Sequence, residues 1–351
     1  MILAHLDLDA FFAAVEEIEQ PELKRVPLVV GGDPRGRGVV ATANYVARGF
    51  GIRSAMSCAE ALRRCPQAVF VRPRGQLYRE YSRSVWQTIR GVTPTVEQVG
   101  IDEGYLDIGE VSGDDWLEAR AVAEAVQSAV RAGTSLSCSL GVATSKVVAK
   151  VASDRRKPGG LTVVRAGSEA AFLAPLDVRL LPGVGPKAEE RLATAGVATI
   201  GALAALSDEQ LKALVPGKWG RLMRDRAQGI DPRVLEGPTE AVSISQEETF
   251  ERDVADREAL HAELRRMAER VSELLRRDGR CARTVTTKLR YPDFSIRSRS
   301  QTLSAGIDDA ETIGELACAL LDRALQQRPG ALRLVGVGVS GLEPFQQLSL
   351  V

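Results

Sequence analysis

Residues 2–8, ILAHLDL, alternate between apolar and polar positions as a half-buried strand does, and AFFAAVEEIE then opens a helix. VPLVVGG reads as a buried strand, GVVATANYVARGFG as a strand running into a helix, and MSCAEALRRCP as a second short helix. After VEQVGIDEGYLDI the spacing is helical over roughly 115–132. A strand follows at LSCSLGVA, then a helix around SKVVAKVASD and a strand at GGLTVV. This order predicts a mixed α/β sheet with one face open to ligand.

From about residue 166 the texture changes to short helices punctuated by glycine, LPGVGPKAEERLATAGVATIGALAALS, ending near 232. GIDPRVLEGPTEAV is rich in Pro and Gly and reads as a linker. Beyond it come the strand VSISQEETF, a helix at about 255–277, strands RTVTTKLRY and FSIRSRSQTL, a helix at about 308–328 and the strand LRLVGVGVSG. That is β-α-β-β-α-β, the split βαβ order. By period-two alternation Thr284, Thr286, Lys288 and Arg290 share a face of one middle strand, and Arg297, Arg299 and Gln301 a face of the other. With both helices on the opposite side, the sheet is expected to display these residues to solvent, which suits a phosphate backbone. An ordinary solvated sheet face is the competing reading.

Composition narrows the class. The 351 residues are 44% hydrophobic and 26% charged, as in a globular protein of several domains. No run of 18 apolar residues and no basic-then-apolar leader is present, so no membrane span or signal is expected. Five cysteines without a CxxC pair point to a reduced, cytoplasmic setting, and two histidines make zinc hydrolysis a poor fit. Net charge is zero, yet between Arg276 and Arg299 eight basic residues stand against two acidic ones. A neutral total conceals a basic segment.

The carboxylates carry the chemistry. HLDLDAFF sets Asp7 and Asp9 at the end of the first strand, where only one of the two can face a shared site. Asp102 and Glu103 lie side by side in VGIDEGYLDI, with Gly100 and Gly104 nearby to permit a bend that re-aims a side chain. Three converging carboxylates repel one another unless cations neutralise them, and oxygen ligands without His or Cys suit Mg²⁺. Two such ions clamp the attacking and leaving oxygens of a phosphoryl transfer. The plain alternative is a set of solvated turn residues.

Taken together, LDLDAFFAAVEE, ATANYVARGFGIRSAM, GIDEGYLDI, GVATSKVVAKVASDRRKPGG, LPGVGPKAEERL and SISQEETF resemble the Y-family DNA polymerases, in order and over nearly the whole chain. The resemblance implies a right-hand polymerase of α/β and α+β domains: palm 1–10 and 78–165, fingers 11–77, helical thumb 166–232, linker 233–241, little finger 242–344 and a clamp-binding-like tail 345–351. It implies template-directed addition of dNTPs to a primer 3′-OH, at low fidelity and past damaged bases.

By the same resemblance Asp7, Asp102, Glu103 and the Leu8 carbonyl hold two Mg²⁺ ions, with Mn²⁺ as an alternative, and Asp9 is structural. Phe11 and Phe12 lie at the nucleotide, Phe12 as the steric gate that excludes a ribose 2′-hydroxyl. Thr42, Tyr45, Arg48 and Lys157 correspond to triphosphate contacts, their hydroxyls and cations matched to phosphate oxygens. Gly183, Gly185 and Lys187 belong to a helix-hairpin-helix that meets the DNA backbone, and Lys288, Arg290, Arg297 and Arg299 to the basic sheet. QQLSLV resembles a sliding-clamp peptide, with Gln347, Leu348 and Leu350 as anchors and Val351 where an aromatic is common. Primer-template DNA, dNTP and the clamp are the implied partners of a monomer. Gly100 and Gly104 depart from the family's usual S-I-D-E-A, which leaves a catalytically weak DNA-binding accessory protein as the alternative. A nucleotidyl cyclase shares the carboxylates but has no need of a duplex grip.

Overall fold

The computed structural model describes residues 1–237 and 240–345. The chain divides into two compact units near the expected linker. Among the described residues no helix is long and apolar enough to cross a membrane.

The first unit opens with β1 (Leu3–Leu8). Strands β2 (Leu28–Gly31), β3 (Val40–Ala43) and β4 (Val69–Val71) form a small sheet in the order β3-β2-β4. Strands β5 (Val96–Gln98), β6 (Glu103–Asp107), β7 (Cys138–Ala143) and β8 (Leu161–Val163) join β1 in a five-stranded sheet, β5-β6-β1-β7-β8. One face of β1 buries Ala4, Leu6 and Leu8 in the core that holds Val85, Trp86 and Val126 of the helices Gly75–Arg90 and Trp116–Thr134. The helix Phe11–Glu19, which the resemblance assigns to the fingers, puts Phe11, Ala13 and Val15 into this same core. The other face of the sheet is covered by the helix Lys146–Ser153. Its valines share a cluster with Leu192, Ile200, Leu203 and Met223 of the glycine-punctuated helices. Within VEQVGIDEGYLDI, β5 and β6 form a hairpin whose bend is 99–102.

In the second unit β9 (Ser243–Val254), β10 (Arg280–Arg290), β11 (Ile296–Ile307) and β12 (Leu332–Pro344) stand in the order β11-β10-β12-β9, all neighbours antiparallel. β9 and β10 therefore run parallel with β12 between them, as the split βαβ reading requires. The helices Arg257–Arg277 and Ala310–Gln327 cover one face, burying Leu264, Val271, Ile313 and Leu321 against Val285, Leu289, Val335 and Val337.

One expectation is overturned here. Five residues, 291–295, join β10 to β11, so Arg290 pairs with Ile296, Leu289 with Arg297 and Thr287 with Arg299. Directly opposed residues share a face. Arg297, Arg299 and Gln301 consequently lie on the helix side, with Thr287 and Leu289, and Arg299 donates to Gln327 of the helix Ala310–Gln327. The open face carries Thr284, Thr286, Lys288 and Arg290 beside Ser298, Ser300 and Thr302, with hydroxyl pairs Thr284–Thr302 and Thr286–Ser300 at 2.9 Å.

Candidate active site

The register of the large sheet decides which carboxylates meet. Asp7 of β1 is directly opposite Glu103 of β6, so His5, Asp7, Glu103 and Tyr105 share the face beneath the helix Lys146–Ser153. That helix lays Lys146, Lys150 and Ser153 on them at spacings of four and three, one helical stripe. Lys150 is ion-paired with Glu103, and Lys146 with Glu97. Lys157, four residues past the helix, pairs with Asp7 at 2.7 Å and Asp154 at 2.8 Å. The carboxylates are thus set against a cationic stripe.

His5 is 1% exposed, and burial holds its pKa below the ordinary value, so the ring is neutral. The Ser153 hydroxyl donates to the Lys150 carbonyl at 2.8 Å, which leaves its oxygen to accept from His5 Nδ1, also at 2.8 Å. His5 Nε2 is then an acceptor for the Lys150 ammonium at 3.4 Å. Its 3.5 Å approach to Glu103 is that of two acceptors sharing one cation. The Glu103 carboxyl is held below its ordinary value; a hydrogen bond from His5 would do this only in the other tautomer. With the proton on Nδ1, Lys150 supplies the stabilising charge.

Asp7, Leu8, Phe11, Phe12, Thr42, Arg48, Asp102 and Lys157 line one cavity of about 210 Å³, together with Ala10, Ala41 and Ser54. Eight of the residues singled out in the sequence are brought together there. Glu103 and Tyr45 are not in its lining. Glu103 is turned to Lys150, and the Tyr45 hydroxyl donates to Asp9 at 3.4 Å while its ring carries the Arg48 guanidinium at 4.8 Å. Burial raises the carboxyls of both Asp7 and Asp102; Lys157 works against it at Asp7, and repulsion from Glu103 adds to it at Asp102. Burial also works against the Lys157 ammonium, but Asp7 and Asp154 outweigh it and raise its pKa. Asp9 is 4% exposed and accepts from Ser137 Oγ, Ser139 Oγ and the Gly159 amide at 2.7–2.8 Å. It anchors the loop that carries Lys157, a structural place.

Phe12 stacks on Tyr78 at 4.2 Å and 12°. The Tyr78 hydroxyl donates to the fully buried Glu16 at 2.5 Å, and Arg74 pairs with the same carboxylate. The sequence reading missed this support, Lys146 and Lys150, and Ser54. The lysine stripe was the available signal, whereas Tyr78 and Ser54 lie too far along the chain to show their neighbours.

The two glycines separate in role. A Cβ on Gly104 would lie 2.5 Å from the Trp86 ring and 2.6 Å from the Glu97 carbonyl, whereas one on Gly100 meets only ordinary contacts. Gly104 is therefore needed for close packing. The donor set suits a hard divalent cation: Asp7, Asp102 and the Leu8 backbone border one polar cavity, with carboxyls whose burial leaves charge to be neutralised. Among the described residues no three acidic, His or Cys side chains converge as a metal cluster. Glu103 would complete the set by leaving Lys150.

Elsewhere, Gly183 has φ +106°, Gly185 caps the helix Pro186–Thr194, and both are exposed with Lys187. A second Pro-Gly turn, Pro216–Gly217, leads into the helix Lys218–Ala227. Lys288 is ion-paired with Glu247, and the Arg290 Nε is buried without a partner. Gln347, Leu348 and Leu350 lie outside the described residues.

A mixed sheet, antiparallel on both sides of its central strand, with acidic residues at that strand's end, a cavity lined by carboxylates and cations, and glycine-rich helices beyond it define a right-hand polymerase. Family models agree: the impB/mucB/samB family matches residues 6–154, its C-terminal domain residues 241–350, and a DNA polymerase-iota thumb domain residues 179–231. The chain belongs to this family, the Y-family DNA polymerases, and is a DNA-directed DNA polymerase of translesion synthesis.

A DNA polymerase IV of Dehalococcoides mccartyi strain CBDB1 is 41% identical over 99% of this chain and 88% of its own length. One of Streptomyces coelicolor is 39% identical, over 99% and 72%. Among solved structures, a Y-family DNA polymerase chimera superposes with TM-score 0.89 at 25% identity, over 98% of this chain and 100% of that one. DinB from Sulfolobus solfataricus gives 0.67 at 25% identity, over 97% and 98%. An insertion ternary complex of Dbh DNA polymerase gives 0.70 at 25% identity, over 98% and 100%. Divalent metal ions serve polymerases of this family.

Proposed function

We propose that the chain extends a primer 3′-OH by two-metal-ion nucleotidyl transfer, with Asp7, Asp102, Glu103 and the Leu8 carbonyl holding Mg²⁺. The observation that carries this reading is the shared cavity of Asp7, Asp102, Phe12, Thr42, Arg48 and Lys157. When bound, the ions supply charge stabilisation at the transferring phosphoryl group and lower the pKa of the attacking hydroxyl. Thr42, Arg48 and Lys157 bind and orient the triphosphate, with Tyr45 adding a hydroxyl once it leaves Asp9. Phe12, backed by Tyr78, fills the space a ribose 2′-hydroxyl needs, and Phe11 packs beneath it. Catalysis on this reading is positioning and electrostatics, without a general base among the side chains.

The helix-hairpin-helix at Gly183, Gly185 and Lys187 holds the duplex backbone, as do Lys288 and Arg290 on the open sheet face. Arg297 and Arg299 act from the helix side. Gln347, Leu348 and Leu350 dock a cytoplasmic, monomeric polymerase on the sliding clamp. Extension of a labelled primer with Mg²⁺ and dNTPs tests the core of this. Template-dictated product lost in Asp102→Ala/Glu103→Ala is expected. Tight duplex binding without extension, even with Mn²⁺, would favour the accessory-protein alternative.

A further inference from the structure

The turn between β10 and β11, residues 291–295, combines a strained backbone with an exposed aromatic ring. Phe294 sits there at φ +64°, a region that bulky residues avoid, with its ring 61% exposed. Gly or Asn would serve this backbone with less strain. The turn is nevertheless held rigidly. The Phe294 amide donates to the Tyr291 carbonyl at 2.9 Å, and Asp293 accepts from the Ser295 amide at 3.0 Å and its hydroxyl at 2.6 Å. Arg328 donates to Asp293 at 2.9 Å and to Ser295 at 2.6 Å, while its guanidinium lies 4.0 Å from the buried Tyr291 ring. Strain maintained by such a clasp, at a ring that packs no core, points to a ligand.

We propose that Phe294, backed by Arg333, is a stacking platform for an unpaired nucleobase of single-stranded DNA. The Arg333 guanidinium covers one face of the ring at 4.6 Å and has no carboxylate partner among the described residues. The exposed remainder of the ring offers the flat apolar surface on which a base stacks, and the cation strengthens the contact while facing the adjoining phosphate. The charge around it selects nucleic acid over an apolar protein groove. Of the residues flanking the turn, Arg290, Arg297 and Arg299 have, like Arg333, no carboxylate partner among the described residues, and Asp293 is taken up by Arg328. The platform belongs to the second unit and the cavity to the first, and the test of the platform does not depend on extension.

Fluorescence anisotropy of a labelled oligo-dT strand, titrated with the full chain, tests it. Phe294→Ala is expected to weaken binding about tenfold, and Phe294→Leu, which keeps an apolar side chain without a π face, to weaken it nearly as much. An oligonucleotide of abasic sites, which offers phosphates alone, should bind wild type and both variants equally. Unchanged oligo-dT affinity in Phe294→Ala would overturn the proposal and leave the ring to a protein partner. Full rescue by Phe294→Leu would equally overturn it, by reducing the contact to plain apolar burial. Circular dichroism of each variant checks that the fold is retained.

Discussion

Glu103 and Lys150 are respectively 29% and 32% exposed, a half-sheltered pair that sets the charge balance of the metal-free site. The Glu103 carboxyl stands at about 2 against an ordinary 4.5, so it contributes stability above about pH 4.5 that is lost as pH falls toward 2. Lys150→Met removes the ammonium's share of that contribution. In EDTA near neutral pH the variant should be less stable by about 1–2 kcal/mol, after discounting for solvent screening. The gap to wild type should close between pH 4.5 and 2. All three tryptophans, Trp86, Trp116 and Trp219, lie in the first unit, so their fluorescence during urea unfolding reports it. A gap independent of pH would mean that Lys150 matters through packing alone. The carboxylates and the phenylalanines were legible from local words in the sequence. Lys150 was legible only as a spacing, and Tyr78 not at all, because its partner Phe12 is brought to it by the fold.

One glycine lets Trp86 pack closely on the β5–β6 hairpin. Gly104 is where the rim of Trp86 and the Glu97 carbonyl come closest to the strand, so Gly104→Ala must displace one of them. We expect a loss of about 1–3 kcal/mol, read as a lower urea midpoint. Trp86→Phe trims the side-chain half of the clash, so in the double variant the two losses should fall short of additive. Strict additivity would show that the ring does not limit this position. A glycine beside two carboxylates suggests flexibility when only the sequence is in view. Whether it bends or merely makes room depends on what packs opposite, and that partner is about 18 residues away along the chain. The β11 faces failed for a related reason: alternation gives the two faces of each strand, but the turn sets which faces coincide. With five residues between Arg290 and Ile296, even-numbered positions match even-numbered ones, and Arg297 and Arg299 go to the helix side.

At the scale of the molecule each unit has a hydrophobic core of its own, Leu321 and its neighbours in the second, Leu6 and Trp86 in the first. Calorimetry is expected to show two transitions. Leu321→Ala, a fully buried truncation costing about 2–5 kcal/mol, should lower one and leave the tryptophan-detected one in place. A single cooperative shift would contradict this division. The order of elements, and with it the fold, was readable because each segment keeps its own period. Within the first unit the helix Phe11–Glu19 and the glycine-punctuated helices share cores with the large sheet, so packing alone draws no line between palm, fingers and thumb.

Lys157 gives the catalytic cavity a further property. The ammonium that neutralises Asp7 is, on the proposed reading, the same group that meets a nucleotide's phosphates, and it has one position at a time. On the proposed reading, a divalent cation taken up by Asp7 releases Lys157, and a triphosphate that engages Lys157 exposes Asp7. Each ligand therefore prepares the site for the other, and the factor by which one tightens the other is the same in both directions. On that reading a single lysine would make metal and nucleotide a cooperative pair.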